Sequence, residues 1–125
     1  MSIDDLGKSS GLITGWNCRI LKLLNSWSIS FGIGVLLESR ELTLHLLFIN
    51  IYGSYGDREP IWNSLFSKYL LSGRNLILGG DFNFSLGQSK VWGPKARIDP
   101  LVGIFQNLLV ENSLLDVYPC KIKPT

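Results

Sequence analysis

The chain has little cysteine, little histidine and almost no net charge. Its two cysteines, Cys18 and Cys120, lie far apart and form no CxxC pair, and the single histidine is His45. Neither a zinc site nor a disulfide framework is implied, and no disulfide partner is expected. The expected setting is therefore reducing and intracellular, nucleus or cytoplasm. Lys+Arg 12 against Asp+Glu 10 leaves +2, too small a bias to mark a nucleic-acid or membrane binder from bulk charge. A long apolar run is also missing, since the strongest stretch, Leu42 to Tyr52, is half the length needed to span a bilayer. Asp4 and Asp5 stand where a secretion signal would carry basic residues. No signal and no membrane span are expected.

What is present is apolar. A hydrophobic fraction of 46% with 18% charged residues excludes a disordered chain, and 125 residues suffice for one domain, 1–125, with a core. Residues 1–17 are rich in Gly and Ser without period, so the chain is expected to enter through turns. Trp27 to Leu37 is β-branched and aromatic and reads as one strand. Thr43 to Tyr52 carries apolar side chains on both parities, the pattern of a central strand covered on two faces. Glu38, Arg40 and Glu41 between these runs suit a solvated hairpin turn. His45, alone inside its strand, reads as a packed or strand-edge residue.

The period changes at Pro60. Trp62, Leu65, Phe66 and Tyr69 fall on one helical face, with Pro60 near the first turn and Gly73 past the end, predicting a helix over Pro60 to Leu71. Asn75 to Leu78 predicts a short buried strand stopping at Gly79-Gly80. Asp99 as N-cap with Pro100 behind it starts a second helix to Val110, with Leu101, Ile104, Phe105, Leu108 and Leu109 as its stripe. Leu114 to Tyr118 reads as the beginning of another strand. The alternation of strands and helices predicts an α/β fold.

The chemistry-bearing string is Leu76 to Asn83, a buried strand that delivers a carboxylate, Asp81, and a carboxamide, Asn83, at its carboxyl end. Open α/β sheets gather their ligand sites there. If strand geometry persists, both side chains point the same way, placing a base and a hydrogen-bond donor toward one substrate atom. Gly, Asp and Asn also shape ordinary turns, so a purely structural role for the pair stays open.

GGDFN, together with Asn50-Ile51-Tyr52-Gly53, Arg58 and Trp62, resembles the endonuclease/exonuclease/phosphatase superfamily. The resemblance is particularly to the endonuclease domain of plant LINE-type (non-LTR) retrotransposons. Ser9 to Trp16 is similar to the SGGLLxxW stretch of those domains, and Phe105 to Asp116 to their following helix and strand. The match runs from about residue 9 to residue 118. Its more specific element is the separation of Tyr52 from Asp81, 29 positions (81 minus 52), with a helix between. The resemblance implies a four-layer α/β sandwich, two sheets flanked by helices, of which this chain supplies an incomplete set.

It further implies Mg²⁺-dependent phosphodiester hydrolysis that nicks DNA, with Asp81 acting on water, Asn83 orienting the phosphate and Tyr52 contacting it. The family's metal-binding Glu and its terminal Asp-His pair have no counterpart here, so the metal ligands are unassigned and the chain reads as a fragment truncated at both ends. Ser54 and Tyr55 depart from the Pro and Asn often found after the family tyrosine. Between Ser85 and Ile98, Lys90, Trp92, Lys95 and Arg97 combine cations with a stacking aromatic and no acid, the ingredients of a nucleic-acid contact or of an ordinary solvated loop. Three readings follow: an endonuclease that is inactive in this form, a non-catalytic nucleic-acid-binding remnant, or a phosphodiesterase or phosphatase of the same superfamily with another substrate.

Overall fold

A computed structural model describes residues 2–3, 11–53, 56, 58–69, 75–83 and 99–117, with side chains except at positions 2, 3, 68 and 69. The elements are β1 (Ser2–Ile3), β2 (Leu12–Ile13), β3 (Leu21–Ile29), β4 (Gly32–Ser39), β5 (His45–Tyr52), α1 (Arg58–Tyr69), β6 (Asn75–Asp81) and α2 (Val102–Glu111). The fold is α/β: β3-β4-β5-β6 form a four-stranded mixed sheet, antiparallel except for the parallel β5–β6 pair. Helix α1 is the crossover that a parallel pair requires. No described helix is long and apolar enough to cross a membrane.

Strand β5 is central, as its apolar residues on both parities predict. Leu47, Ile49 and Ile51 turn to one face and are buried with Trp62, Leu65, Phe66 and Phe105 of the two helices. Leu46 and Phe48 turn to the other, where Ile33, Val35 and Leu37 form a second buried cluster capped by Leu12 and Trp16. The entry segment is not turns throughout: β1 and β2 pair antiparallel and lie against β4 and β5. His45 opens β5 as an exposed residue near the sheet margin rather than a packed one.

The single strand expected over Trp27 to Leu37 is two strands. The chain reverses at Ser30-Phe31, with Ile29 opposite Gly32, and β3 reaches back to Leu21. Two physical features hid this. Ser30-Phe31 lacks the Gly or Asn that usually marks a tight hairpin. At Leu24 the register moves from Leu23↔Leu37 to Asn25↔Leu36, a bulge that shifts the side-chain phase and breaks period-two alternation. Below the bulge Leu21 meets the Ile33 cluster; above it Trp27 and Ile29 join the helical core. Trp27 lies over Gly34, whose missing Cβ leaves room for the indole. The turn into β5 forms where expected: Ser39 Oγ accepts from Glu41 and Leu42 N–H groups, and Arg40 and Glu41 are exposed.

Helix α1 begins two residues before Pro60, which sits in the first turn where its missing N–H has no partner to lose. Trp62, Leu65 and Phe66 are buried as the stripe predicts; the side chain of Tyr69, Leu70 to Gly73 and their helix stop lie outside the described residues. Strand β6 does not stop at Gly79-Gly80 but runs through Asp81. Gly80 has φ 125, and a Cβ there would collide with the Ile51 carbonyl, so glycine is what lets the ladder continue.

Asp99 is not the N-cap of α2. Leu101 holds that position without a side-chain cap, while Asp99 Oδ1 accepts the Leu101 N–H at 3.0 Å one step earlier. Phe105 is buried and Leu108 and Leu109 reach the core, but Ile104 is exposed, the stripe being wider than the contact. The helix ends in a Schellman turn: Ser113 is left-handed (φ 55), its N–H donates to Val110 O, and Leu114 N–H donates to Leu109 O. That turn seats Leu114 on the core, and the described residues 114–117 pair in no strand, contrary to expectation. Tyr118 lies outside the described residues.

Candidate functional site

The parallel pair puts Tyr52 of β5 directly opposite Asp81 of β6, in register on one face of the sheet. The two residues that sequence spacing joined therefore share the carboxyl end of adjacent strands. Tyr52 N–H donates to Phe31 O at 2.9 Å, and Gly53 N–H donates to Asp81 O at 2.6 Å, so both strand ends are tied by backbone. Asp81 is exposed and Tyr52 is 37% exposed. Asn50 lies on the same face, its amide donating to Ile13 O (3.1 Å) and Thr14 Oγ1 (3.0 Å), which binds the β2 segment to this end of β5.

Asn83 departs from the expectation. Strand geometry ends at Asp81, and Asn83 turns left-handed (φ 46), so alternation does not aim the two side chains together. Instead Asn83 N–H donates to Asp81 Oδ1 at 2.9 Å, and Asn83 Nδ2 donates to Gly53 O. One N–H of the carboxamide is committed to the turn, which leaves its second N–H and its oxygen for anything else. Among the described residues, the second carboxylate oxygen of Asp81 has no hydrogen-bond partner. Between the two, Phe82 points inward, stacked 5.4 Å from Trp62, which in turn meets Phe105 edge-on at 4.8 Å. The GDFN string is thus anchored through its phenylalanine, with its polar residues held at the surface.

Arg58 and Asp99 complete this end. Arg58 NH1 pairs with Asp99 Oδ2 and donates to Asn83 O at 3.3 Å, with side chains only 18% and 15% exposed. Sequence reasoning named Arg58 only as part of a resemblance and gave Asp99 to a helix cap. The Asp-Pro dipeptide masked an ion pair that joins residues 41 positions apart.

Of the two aspartates at this end, Asp81 keeps an oxygen without a partner among the described residues, whereas both oxygens of Asp99 are engaged, by Arg58 and by the Leu101 N–H. No group of three His, Cys, Asp or Glu side chains among the described residues is arranged to hold a metal. Lys90, Trp92, Lys95 and Arg97 lie outside the described residues. Cys18 is free and exposed; Cys120 lies outside the described residues. On the other side of β6, along the edge that pairs with no strand among the described residues, a groove of about 460 Å³ runs toward Leu115 and Val117. Its lining is apolar apart from Asp116 and holds no cation, so it does not suit a phosphate.

No known protein-family model matches the chain, and no curated protein matches it significantly.

Proposed function

We propose that this chain is an endonuclease-like domain of the endonuclease/exonuclease/phosphatase type, retrotransposon-derived, that engages the DNA backbone where β5 and β6 end. The observation that carries the reading is the register of Tyr52 with Asp81 at the carboxyl end of a parallel pair. A phenol and a carboxylate with a free oxygen stand side by side, suited to contact a phosphodiester and to take a proton from water. The position of β1–β2 over the face opposite the helices is what a second sheet of a four-layer sandwich would begin from. Lys90, Trp92, Lys95 and Arg97 would add phosphate and stacking contacts.

In this type of enzyme Mg²⁺ supplies Lewis-acid stabilisation of the charge that develops on the phosphate. Mg²⁺ is usually held by one or two carboxylates together with waters and substrate phosphates. At this end of the sheet Asp81 offers one carboxylate oxygen, which does not by itself make a metal site. The chain alone is therefore expected to bind DNA weakly, in a salt-dependent way, and to show no appreciable Mg²⁺-dependent nicking. Missing an acid-base partner costs roughly 10²- to 10⁴-fold in rate.

The engagement of the Asn83 carboxamide by Gly53 O favours a second reading, a nucleic-acid-binding remnant without hydrolysis. One experiment tests both readings: nicking of supercoiled plasmid with Mg²⁺ or Mn²⁺, beside fluorescence anisotropy on a DNA duplex, for wild type and Asp81→Ala. Nicking that disappears in Asp81→Ala overturns the inactive assignment and establishes a working site. Binding without nicking is the outcome both readings expect, and it supports DNA as the partner of a chain that does not hydrolyse it. Absence of both, at low salt, removes DNA as the partner.

A further inference from the structure

We infer that Arg58 and Asp99 are positioning residues whose task is to hold the Asn83 turn and, through it, the orientation of the Asp81 carboxylate. Left-handed backbone is disfavoured for residues other than glycine, though less for asparagine than for most, so contacts around Asn83 decide whether the turn persists. Every polar group of that turn with a described partner points into one network. The carbonyl of Asn83 accepts from Arg58, its N–H donates to Asp81 Oδ1, and its carboxamide donates to Gly53 O. Asp99 fixes Arg58 and is itself fixed by the Leu101 N–H ahead of α2.

Helix stability alone does not account for Arg58. It is the first residue of α1, where the helix macrodipole disfavours a cation. A largely buried ion pair is also weak grounds for stability, because desolvation offsets most of the attraction. What the pair does provide is a fixed point shared by the starts of both helices, from which one nitrogen reaches the backbone of Asn83. With it in place, one Asp81 oxygen is committed to the Asn83 N–H and the other is left facing outward in one direction. Without it, Asn83 is free to relax out of the left-handed region, its N–H leaves Asp81, and the carboxylate rotates as any exposed side chain does.

The positioning rests on the geometry; its value for phosphodiester chemistry rests on the proposed function. The test uses the full chain, labelled with ¹⁵N, and follows the Asn83 amide proton while the Asp81 carboxyl is titrated. A hydrogen-bonded amide moves downfield as its acceptor ionises. In wild type the Asn83 amide is expected to follow Asp81, with Asp81→Asn as the control that abolishes the movement. Arg58→Met and Asp99→Asn are expected to lose most of it while the amides of Leu47 and Ile49 in β5 stay in place, and Arg58→Lys is expected to retain it. Retention in either folded Arg58→Met or Asp99→Asn overturns the inference. So does loss of spectral dispersion in both variants, which would make the pair a global stabiliser rather than a local one. Failure of DNA binding with the amide response intact would count against the proposed function and leave the positioning standing.

Discussion

The two ends of β5 each carry a charged cluster, and they are built differently. At the amino end Lys22, Glu38 and His45 stand in register across β3, β4 and β5, with Lys22 Nζ 3.5 Å and His45 Nε2 3.7 Å from Glu38. All three side chains are two-fifths or more exposed, and the contacts run from side chain to side chain. At the carboxyl end the Arg58–Asp99 pair is largely buried, and each of its contacts beyond the pair ends on backbone: Asn83 O for Arg58 and the Leu101 N–H for Asp99. Exposed pairs between mobile side chains contribute about 0 to 1 kcal/mol and fix nothing. A pair that terminates on backbone transmits its geometry to the chain. Charge alone therefore does not distinguish a site from a solvated margin; burial and backbone anchorage do.

The comparison is broken most severely at Gly80. Gly80→Ala places a Cβ against the Ile51 carbonyl at a backbone angle disfavoured for alanine, and is expected to cost roughly 3 kcal/mol. Urea unfolding measures it, and a cost below about 1 kcal/mol would mean the two strand ends separate easily. Asp99→Ala comes next. Leaving Arg58 without its partner in a largely buried position should cost roughly 2 to 3 kcal/mol, between the exposed and the fully buried cases. A loss no larger than that of an exposed pair would erase the contrast between the ends.

Tyr52→Ala sharpens the comparison on the functional side. Its stability should change by less than about 1 kcal/mol, as for an exposed residue, while duplex affinity falls roughly tenfold, the scale of one lost hydrogen bond to a charged group. Unchanged anisotropy titrations would remove Tyr52 from the site. The smallest effect is expected at the amino end: Glu38→Gln should shift stability by no more than about 0.5 kcal/mol, and by less again in 1 M salt. A larger, salt-resistant loss would show that this margin is organised after all.

Much of the architecture was legible because it is written in local period. The doubly apolar run of β5, the Trp62-Leu65-Phe66 face of α1 and the strand entering GDFN each follow from spacing between neighbours, and each is where spacing put it. The hairpin at Ser30-Phe31 was not legible, since its turn lacks the usual residues and the bulge at Leu24 scrambles the alternation that would have revealed β3. Leu114 to Val117 misled in the opposite sense: the alternation is present, but a strand also needs a partner, and none is paired with it among the described residues.

At the candidate site the division is similar. Sequence by itself determined that a carboxylate would arrive at the end of a buried strand and that an aromatic would end the strand before it, because strand direction and side-chain period are local properties. Only the tertiary structure decided that Tyr52 and Asp81 would stand in register, which depends on how β5 and β6 pair. It also decided that Asn83 would turn left-handed and give its amide to Gly53, and that Asp99 would leave its expected cap to meet Arg58. Those outcomes join residues 30 and 41 positions apart. Such contacts are set by packing of the two helices on the sheet, and no window of neighbouring residues contains the groups that decide them.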